Sequence, residues 1–158
     1  MPQTVTHNLS FTRFANRAEL PINWLRLVEE AEAATQFSYS PYSRFKVGCA
    51  MRLSSGRIVK GTNQENVAYP SGLCAERSAF YGYGSTRTEG ETIEAVAITT
   101  QNQAGVQDCA YSCGNCRQSM LEFETAQGHY IPLLMAEKGG TFVLVEKVAD
   151  MLPLVFSF

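Results

Sequence analysis

The sequence of 158 residues has little that would suit a membrane, secreted or nucleic-acid-binding protein. Residues 1–20 contain no continuous apolar run, so they do not resemble a signal peptide, and the other apolar stretches are too short to span a bilayer. The net charge is −2 and no basic stripe is present, which argues against nucleic acid as a partner. No repeat, low-complexity tract or linker divides the chain. We therefore expect one cytoplasmic domain over residues 1–158, in which residues 1–20 form an N-terminal extension.

Histidine is also scarce, and His7 and His129 stand alone in the sequence, so neither is an expected metal ligand. Cysteine occurs five times. In a cytosolic protein such cysteines are metal ligands, reactive thiols or core residues rather than disulfides. Three of the five cysteines and a glutamate lie in two short segments, which are the candidate functional motifs: Cys74-Ala75-Glu76 and Cys113-Gly114-Asn115-Cys116.

Hydrophobic periodicity predicts helices packed on a mixed sheet, in the order α-β-β-α-β-α-β-β. The predicted helices are Pro21–Ala34, Cys74 to about Tyr83, Cys113 to about Ala126, and a short one at Val148–Leu152. The predicted strands are Phe45–Leu53, Arg57–Asn63, Ile93–Thr99, Tyr130–Met135 and Thr141–Val145.

Cys74, Cys113 and Cys116 form a candidate zinc site. Each cysteine group opens a predicted helix, where the positive end of the helix dipole lowers the pKa of a thiol and favours the thiolate that zinc requires. Three protein ligands leave one tetrahedral position for water, and Glu76 is a nearby carboxylate that can move the proton of that water. A domain of this length does not need a metal merely to fold, so the pattern favours a catalytic site.

Other interpretations of the cysteines remain open. A Cys-x-x-Cys pair can be a redox site, although its surroundings do not resemble the start of a thioredoxin βαβ unit. A closed zinc site in a non-catalytic binding module would take Cys109 or Cys49 as its fourth ligand. Cys49 alternates into the core side of a strand and is expected to be a packed apolar residue, and Cys109 lies on a loop.

Three thiolates and one Zn²⁺ leave a net negative charge, which would raise the pKa of the bound water. A nearby cation should compensate. Arg77 and Arg117 each follow a site residue directly, and a guanidinium can hydrogen-bond to ligand sulfurs. We favour Arg77 for this role and leave Arg117 open between this role and a surface position.

Asn63 and Glu65 lie two residues apart near the end of a predicted strand, so their side chains point to the same side. An amide and a carboxylate placed together can share a sugar hydroxyl as donor and acceptor. Alternatively, Asn63 and Glu65 simply lie on a polar side of the strand that faces solvent.

At this point several segments resemble one family, the zinc-dependent cytidine deaminases, in its small homotetrameric nucleoside branch. The signature of base deaminases is a helix-initial ligand followed by Glu and then a Cys-x-x-Cys pair. The resemblance runs from about residue 21 to the end, and it rests on these segments: Cys74-Ala75-Glu76-Arg77, Cys113-Gly114-Asn115-Cys116-Arg117-Gln118, Ser40-Pro41-Tyr42-Ser43-Arg44-Phe45-Lys46-Val47-Gly48, Asn63-Gln64-Glu65-Asn66-Val67-Ala68-Tyr69, and Met151-Leu152-Pro153 with Phe156.

The resemblance implies an activity and a fold. The activity is hydrolytic deamination of cytidine and 2′-deoxycytidine in pyrimidine salvage, with Zn²⁺ as the cofactor and Glu76 carrying protons to N3 and to the departing amine. The fold is a three-layer α-β-α arrangement in which a mixed sheet of about five strands has helices on both faces. The partner is a small nucleoside, and the assembly is a homotetramer with sites at the subunit interfaces.

The resemblance also implies roles for individual residues. Asn63 and Glu65 bind the ribose 3′-hydroxyl, Phe45 packs against the base, and Tyr69 lies in the binding stretch. Ala75 and Ser112 hold the pyrimidine edge through backbone groups. Phe156, with Phe158 as a competitor, reaches the site of a neighbouring subunit.

The chain departs from the family pattern in four places. Ser112 stands where the family has proline before the second zinc cysteine, and the loop from Gln101 to Tyr111 contains no proline. Cys49 replaces an alanine, and residues 1–20 have no counterpart. A deaminase for another substrate, such as an aminopyrimidine antibiotic or a polynucleotide base, is the alternative within the same chemistry.

Overall fold

The computed structural model describes residues 2–156. The three α-helices are α1 (Ile22–Ala34), α2 (Ala75–Thr86) and α3 (Gly114–Gln127). The strands are β1 (Thr12–Phe14), β2 (Lys46–Leu53), β3 (Ile58–Thr62), β4 (Ile93–Gln101), β5 (Leu133–Ala136) and β6 (Phe142–Val145). Short 3₁₀ turns cover Arg17–Glu19, Thr35–Phe37, Tyr69–Ser71 and Val148–Met151. Within the described chain, no helix combines the length and apolar character needed to cross a bilayer.

The six described strands form one mixed sheet in the order β1-β6-β5-β4-β2-β3. Only β4 and β5 pair in parallel among the described strands, and α3 lies between them in the chain. The other neighbours are antiparallel, including the hairpin that β2 and β3 form across Ser54-Ser55-Gly56. The central strands are almost wholly buried, as strands covered on both faces must be.

Two glycines show that helices cover opposite faces of the sheet. Gly48 pairs with Thr62 and Cys49 with Gly61, so Gly48 and Gly61 face opposite sides. A Cβ at Gly48 would lie 1.9 Å from the carbonyl oxygen of Ala31 in α1, and one at Gly61 would lie 2.3 Å from that of Ala75 in α2. Both helices therefore approach the sheet as closely as glycine alone permits, and the predicted three-layer fold is confirmed.

The third helix joins α2 on its face of the sheet. The rings of Phe80 in α2 and Phe123 in α3 meet edge to face with centroids 5.2 Å apart. This pairing places α2 and α3 side by side.

A buried carboxylate fastens the C-terminal segment to α3. Glu124 is 5% exposed and accepts hydrogen bonds from the backbone N–H groups of Ile131 (2.8 Å), Val148 (2.8 Å) and Ala149 (3.0 Å). The carboxylate satisfies donors that would otherwise be buried without partners. It thereby fixes the turn Val148–Met151 against the helix that carries two of the candidate zinc ligands.

Several predicted elements differ from the structure in detail. The sheet has six strands rather than about five because Thr12–Phe14 of the N-terminal extension pairs with β6. Strand β5 begins at Leu133 rather than Tyr130, since the N–H of Ile131 is committed to Glu124. The predicted helix at Val148–Leu152 is a 3₁₀ turn over Val148–Met151.

Candidate active site

The two cysteine groups lie at the starts of neighbouring helices, as predicted. Cys74 is the N-cap of α2 and Cys113 is the N-cap of α3, with Cys116 in the first turn of α3. Neither N-cap side chain makes a capping hydrogen bond, so both thiols are available to another partner. The positive ends of two helix dipoles therefore converge on three thiols.

The spacing of the three sulfurs fits a tetrahedral zinc ion. The Sγ atoms of Cys74 and Cys113 are 3.9 Å apart, and those of Cys113 and Cys116 are 3.5 Å apart. All three lie within 4.8 Å of one another. Zinc–sulfur bonds of about 2.3 Å in tetrahedral geometry separate ligand sulfurs by about 3.8 Å. The donor set is the soft one that zinc prefers.

The remaining cysteines stand apart from this cluster. Within residues 2–156, Cys74, Cys113 and Cys116 are the only group of three or more Cys, His, Asp or Glu side chains close enough together to hold a metal. Cys49 is fully buried in the core, and burial raises the pKa of its thiol well above its usual value. Cys109 is exposed on the wall of the adjoining cleft. The geometry favours an open three-sulfur site over a closed four-cysteine site.

Contacts within the thiol cluster shift the pKa values of Cys74 and Cys116 in opposite directions. Hydrogen bonding from Cys116, with smaller effects from Arg77 and Cys113, lowers the pKa of Cys74 to about 5. The same interaction with Cys74, together with burial, raises the pKa of Cys116. One thiol donates to the other, so the cluster already stabilises a thiolate at Cys74.

Arg77 supplies positive charge beside this thiolate. Its Nη2 atom donates to the carbonyl oxygen of Gly72 at 3.3 Å, and its buried Nε atom has no hydrogen-bond partner within the described chain. A buried donor without a partner is costly, and a charged ligand sulfur would satisfy it. The position of Arg77 therefore fits the compensating role suggested for it.

Arg117 donates hydrogen bonds to two backbone carbonyl groups. Its Nε atom donates to the carbonyl oxygen of Ser112 at 2.9 Å, and its Nη1 atom donates to that of Met151 at 3.3 Å. The side chain ties the segment before Cys113 to the turn Val148–Met151. These hydrogen bonds give Arg117 a structural role that neither alternative for it had included.

Glu76 lies beside the thiols in the first turn of α2. It is 4% exposed, and burial raises the pKa of its carboxyl group, with a further contribution from Cys74. The neighbouring Ser112 is 3% exposed, and its hydroxyl has no hydrogen-bond partner within residues 2–156. A buried carboxyl group next to a metal-type thiol cluster is a candidate proton carrier.

The thiols and Glu76 open onto a cleft of about 710 Å³. Clefts of this size accommodate small organic ligands. Most of the predicted site residues line it, namely Phe45, Asn63, Glu65, Tyr69, Cys74, Glu76, Arg77 and Cys113. Residues to which the sequence analysis gave no role in substrate binding complete the wall, among them Tyr42, Thr100, Cys109 and Tyr111.

Neighbouring residues use most of the hydrogen-bonding capacity of the Asn63 side chain. Its Oδ1 atom accepts hydrogen bonds from the backbone N–H of Val47 at 2.8 Å and the hydroxyl of Ser38 at 2.5 Å. Its Nδ2 atom donates to the carbonyl oxygen of Phe45 at 2.8 Å. Since an amide nitrogen carries two hydrogens, one donor remains for a ligand.

Glu65 holds the loop that faces it. Its Oε2 atom accepts from the backbone N–H groups of Tyr42 (2.8 Å) and Ser43 (3.2 Å), and its Oε1 atom accepts from the Ser43 hydroxyl. These hydrogen bonds lower the pKa of Glu65 against the opposing effect of partial burial. A carboxylate accepts about four hydrogen bonds, so one acceptor position remains for a ligand.

Two aromatic side chains that line the cleft differ in their exposure to solvent. Phe45 is partly buried on its wall, whereas Tyr69 is 79% exposed at its rim. The Tyr69 ring meets that of Tyr42 edge to face, with centroids 6.4 Å apart. The rim therefore presents aromatic surface to whatever enters or covers the cleft.

Three other predicted site residues do not line the cleft, and the first of them, Cys116, is fully buried behind it. Ala75 is fully buried in the first turn of α2, where its carbonyl approaches Gly61. Phe156 is 66% exposed, and its carbonyl oxygen accepts from Nε2 of Gln118 on α3 at 3.2 Å. Phe158, the competing candidate, lies outside the described residues.

Comparisons with known proteins agree with this geometry. Residues 23–131 match the family model described as the cytidine and deoxycytidylate deaminase zinc-binding region. The chain belongs to the cytidine deaminase family. This family match covers both helix starts that bring the three cysteines together and the whole wall of the cleft described above.

Individual members of the cytidine deaminase family resemble the chain over most of its length. A cytidine deaminase from Sporosarcina psychrophila is 33% identical over 132 residues, which cover 84% of this chain and 90% of that protein. The crystal structure of cytidine deaminase from Mycobacterium tuberculosis superposes with a TM-score of 0.67 at 31% identity, over 87% of this chain and 100% of the other. That from Burkholderia pseudomallei gives a TM-score of 0.70 at 29% identity, over 83% and 97%.

Proposed function

We propose that this member of the cytidine deaminase family catalyses the zinc-dependent hydrolytic deamination of cytidine and 2′-deoxycytidine, giving the uracil nucleoside and ammonia. Such a reaction serves pyrimidine salvage. The observation that carries the proposal is the buried Glu76 beside three clustered thiols, at the base of a cleft of about 710 Å³. A carboxylate and an open metal site facing one cleft are the parts that hydrolysis at C4 requires.

Cys74, Cys113 and Cys116 would hold the zinc ion, since their sulfurs are spaced for it and Cys74 already favours the thiolate. A zinc ion bound there would supply a Lewis acid that lowers the pKa of a water molecule towards neutrality. Arg77 offsets the negative charge that three thiolates leave on the site.

Glu76 carries the protons. It takes one from the attacking water and delivers it to N3 of the base, which makes C4 electrophilic. It then takes the remaining proton from the oxygen now bonded to C4 and passes it to the departing amine, as the C4–N bond breaks. The oxygen of the water becomes O4 of uracil, and the nitrogen leaves as ammonia. Burial raises the pKa of Glu76, which favours its uptake of a proton from the water.

The sugar is recognised by Asn63 and Glu65. Each has one hydrogen-bonding position left, a donor on Asn63 and an acceptor on Glu65. Such a pair matches a hydroxyl group, which both accepts and donates, and we assign it to the ribose 3′-hydroxyl. Their other hydrogen bonds fix both side chains in place, which reduces the entropy lost on binding.

The base lies deeper in the cleft. Phe45 packs against it, and its polar edge reaches towards the backbone of Ala75 and Ser112, which are buried just behind the cleft wall. Tyr69 closes the rim. These assignments place the sugar near the mouth and C4 near Glu76.

We also propose that the chain assembles as a homotetramer of single-domain subunits in the cytoplasm. Exposed apolar side chains beside the cleft support a second copy covering it, for example Val67 (78% exposed), Tyr69 (79%) and Leu73 (37%). Phe156 from a neighbouring copy would then complete the site. The five free cysteines suit a reducing compartment.

The activity is tested by comparing substrates with zinc-loaded protein. Cytidine and 2′-deoxycytidine should both release ammonia. Cytosine offers no hydroxyl to Asn63 and Glu65, so its kcat/KM should be lower by about 100-fold or more, because the site's polar groups are then left unpaired. CMP and blasticidin S should also be poor substrates. Faster turnover of an antibiotic or a polynucleotide, or none with cytidine, would overturn the proposal.

A further inference from the structure

The N-terminal extension forms part of the sheet. Strand β1 pairs with β6 in antiparallel register, with Thr12 opposite Leu144, Arg13 opposite Val143 and Phe14 opposite Phe142. It is an edge strand only three residues long. So short a strand has few ladder hydrogen bonds, and side-chain contacts must help to hold it.

Arg13 provides such a contact, and it reaches across to the turn between β5 and β6. Its Nε atom donates to Oε2 of Glu137 at 3.0 Å, and its Nη2 atom donates to Oε1 at 3.1 Å. This is the bidentate arrangement in which a guanidinium fixes the orientation of a carboxylate as well as attracting it. The Glu137 side chain is 17% exposed, whereas that of Arg13 is 56% exposed, so the ion pair is only partly screened from water.

Glu137 in turn holds the side chain of Tyr111 in place. The Tyr111 hydroxyl donates to Oε1 of Glu137, and the hydroxyl of Thr141 donates to Oε2 at 3.1 Å. Hydrogen bonds from Tyr111, then Arg13 and Thr141, lower the pKa of Glu137, so the carboxylate is charged at neutral pH. Three side chains from three separate parts of the chain thus donate to one carboxylate.

Tyr111 belongs to the wall of the cleft, two residues before Cys113. The loop that carries it lacks the proline expected at position 112, so other contacts must define its path. The backbone N–H of Ala110 donates to the carbonyl oxygen of Ala136 at 2.8 Å, and Nε2 of Gln107 donates to that of Glu137 at 2.8 Å. With the Tyr111 hydroxyl, these hydrogen bonds pin the loop to β5 and its turn.

We propose that Arg13, acting through Glu137, is a positioning residue that sets the Tyr111 side of the nucleoside-binding cleft. The N-terminal extension then shapes the binding site without itself lining the cleft. This inference rests on the proposed function for its substrate, but the link from Arg13 to Tyr111 is a property of the fold.

The test measures cytidine kinetics for Arg13→Gln and Tyr111→Phe. Each should raise KM by about threefold to fivefold, the size expected for a partly exposed ion pair or hydrogen bond, and leave kcat within twofold. Arg13→Lys keeps the charge and should recover part of the loss. The matched control is Arg17→Gln, which removes an ion pair to Glu32 from the same extension but touches no cleft residue. Its KM should equal that of the parent.

A double-variant cycle and amide hydrogen exchange complete the test. If Arg13 acts through Tyr111, the effects of Arg13→Gln and Tyr111→Phe on KM should be less than additive. Exchange at residues 108–112 should accelerate in Arg13→Gln and not in Arg17→Gln. Unchanged exchange with an unchanged KM, or full additivity, would overturn the inference. A parent protein that does not turn over cytidine would overturn the proposed function instead, and hydrogen exchange alone would then decide the link.

Discussion

Replacing Glu76 by glutamine is expected to lower kcat for cytidine by about 100-fold to 10,000-fold while zinc content and fold are retained. Glutamine has nearly the shape of glutamate but cannot accept a proton and release it again. The site tolerates the change because Glu76 is 4% exposed and a neutral amide suits burial at least as well as a carboxylate. Stopped assays of uridine formation, with zinc measured on the same sample, check the prediction.

The control for this variant is Glu94→Gln. Glu94 lies on β4 and pairs with Nε of Arg52 at 3.2 Å, away from the cleft, and neutralising it should leave turnover within twofold. If Glu76→Gln turned over cytidine at a near-normal rate, another group would have to carry the protons, and the mechanism would be wrong.

Replacing Cys116 by serine is expected to reduce bound zinc from about one ion per chain to below about a tenth, and turnover should fall in proportion. Cys116 is fully buried, and its Sγ atom lies 3.5 Å from that of Cys113, so its loss leaves two ligands and a weak hydroxyl. The chain should still fold, because a domain of this size buries a sufficient core without a metal. Its melting temperature should drop, since a ligand that binds only the folded state no longer stabilises it.

Cys109→Ser is the matched comparison, because Cys109 lines the same cleft but stands outside the sulfur cluster. Zinc content and melting temperature should match those of the parent. Loss of zinc from the Cys109 variant would instead support a closed four-cysteine site in a non-catalytic module.

The helices and the clustering of the thiols were predictable because their signals are local. Trp24, Leu27, Val28 and Ala31 recur at helical spacing and are buried in α1. Cys74 and Cys113 stand at predicted helix starts, and the structure makes both of them N-caps. Their meeting in space follows from two helices packed side by side on one face of the sheet.

The contacts that shape the rest of the site are non-local, and hydrophobic patterns do not report them. Nothing in the spacing of Arg13, Tyr111 and Glu137 indicates that they meet, and a strand of three residues is too short for a periodic signal. The polar pair Asn63 and Glu65 was predicted to face one side. Its hydrogen bonds to the 38–47 segment, which leave one position free on each, required the structure.

The proposed reaction depends on an open zinc centre with three thiolate ligands. X-ray absorption at the zinc edge of the purified, active protein counts the sulfur ligands of that centre. We expect three sulfur ligands at about 2.3 Å and one oxygen or nitrogen ligand at about 2.0 Å. Four sulfur ligands would contradict this expectation, since no coordination position would then remain for the water that the proposed reaction consumes.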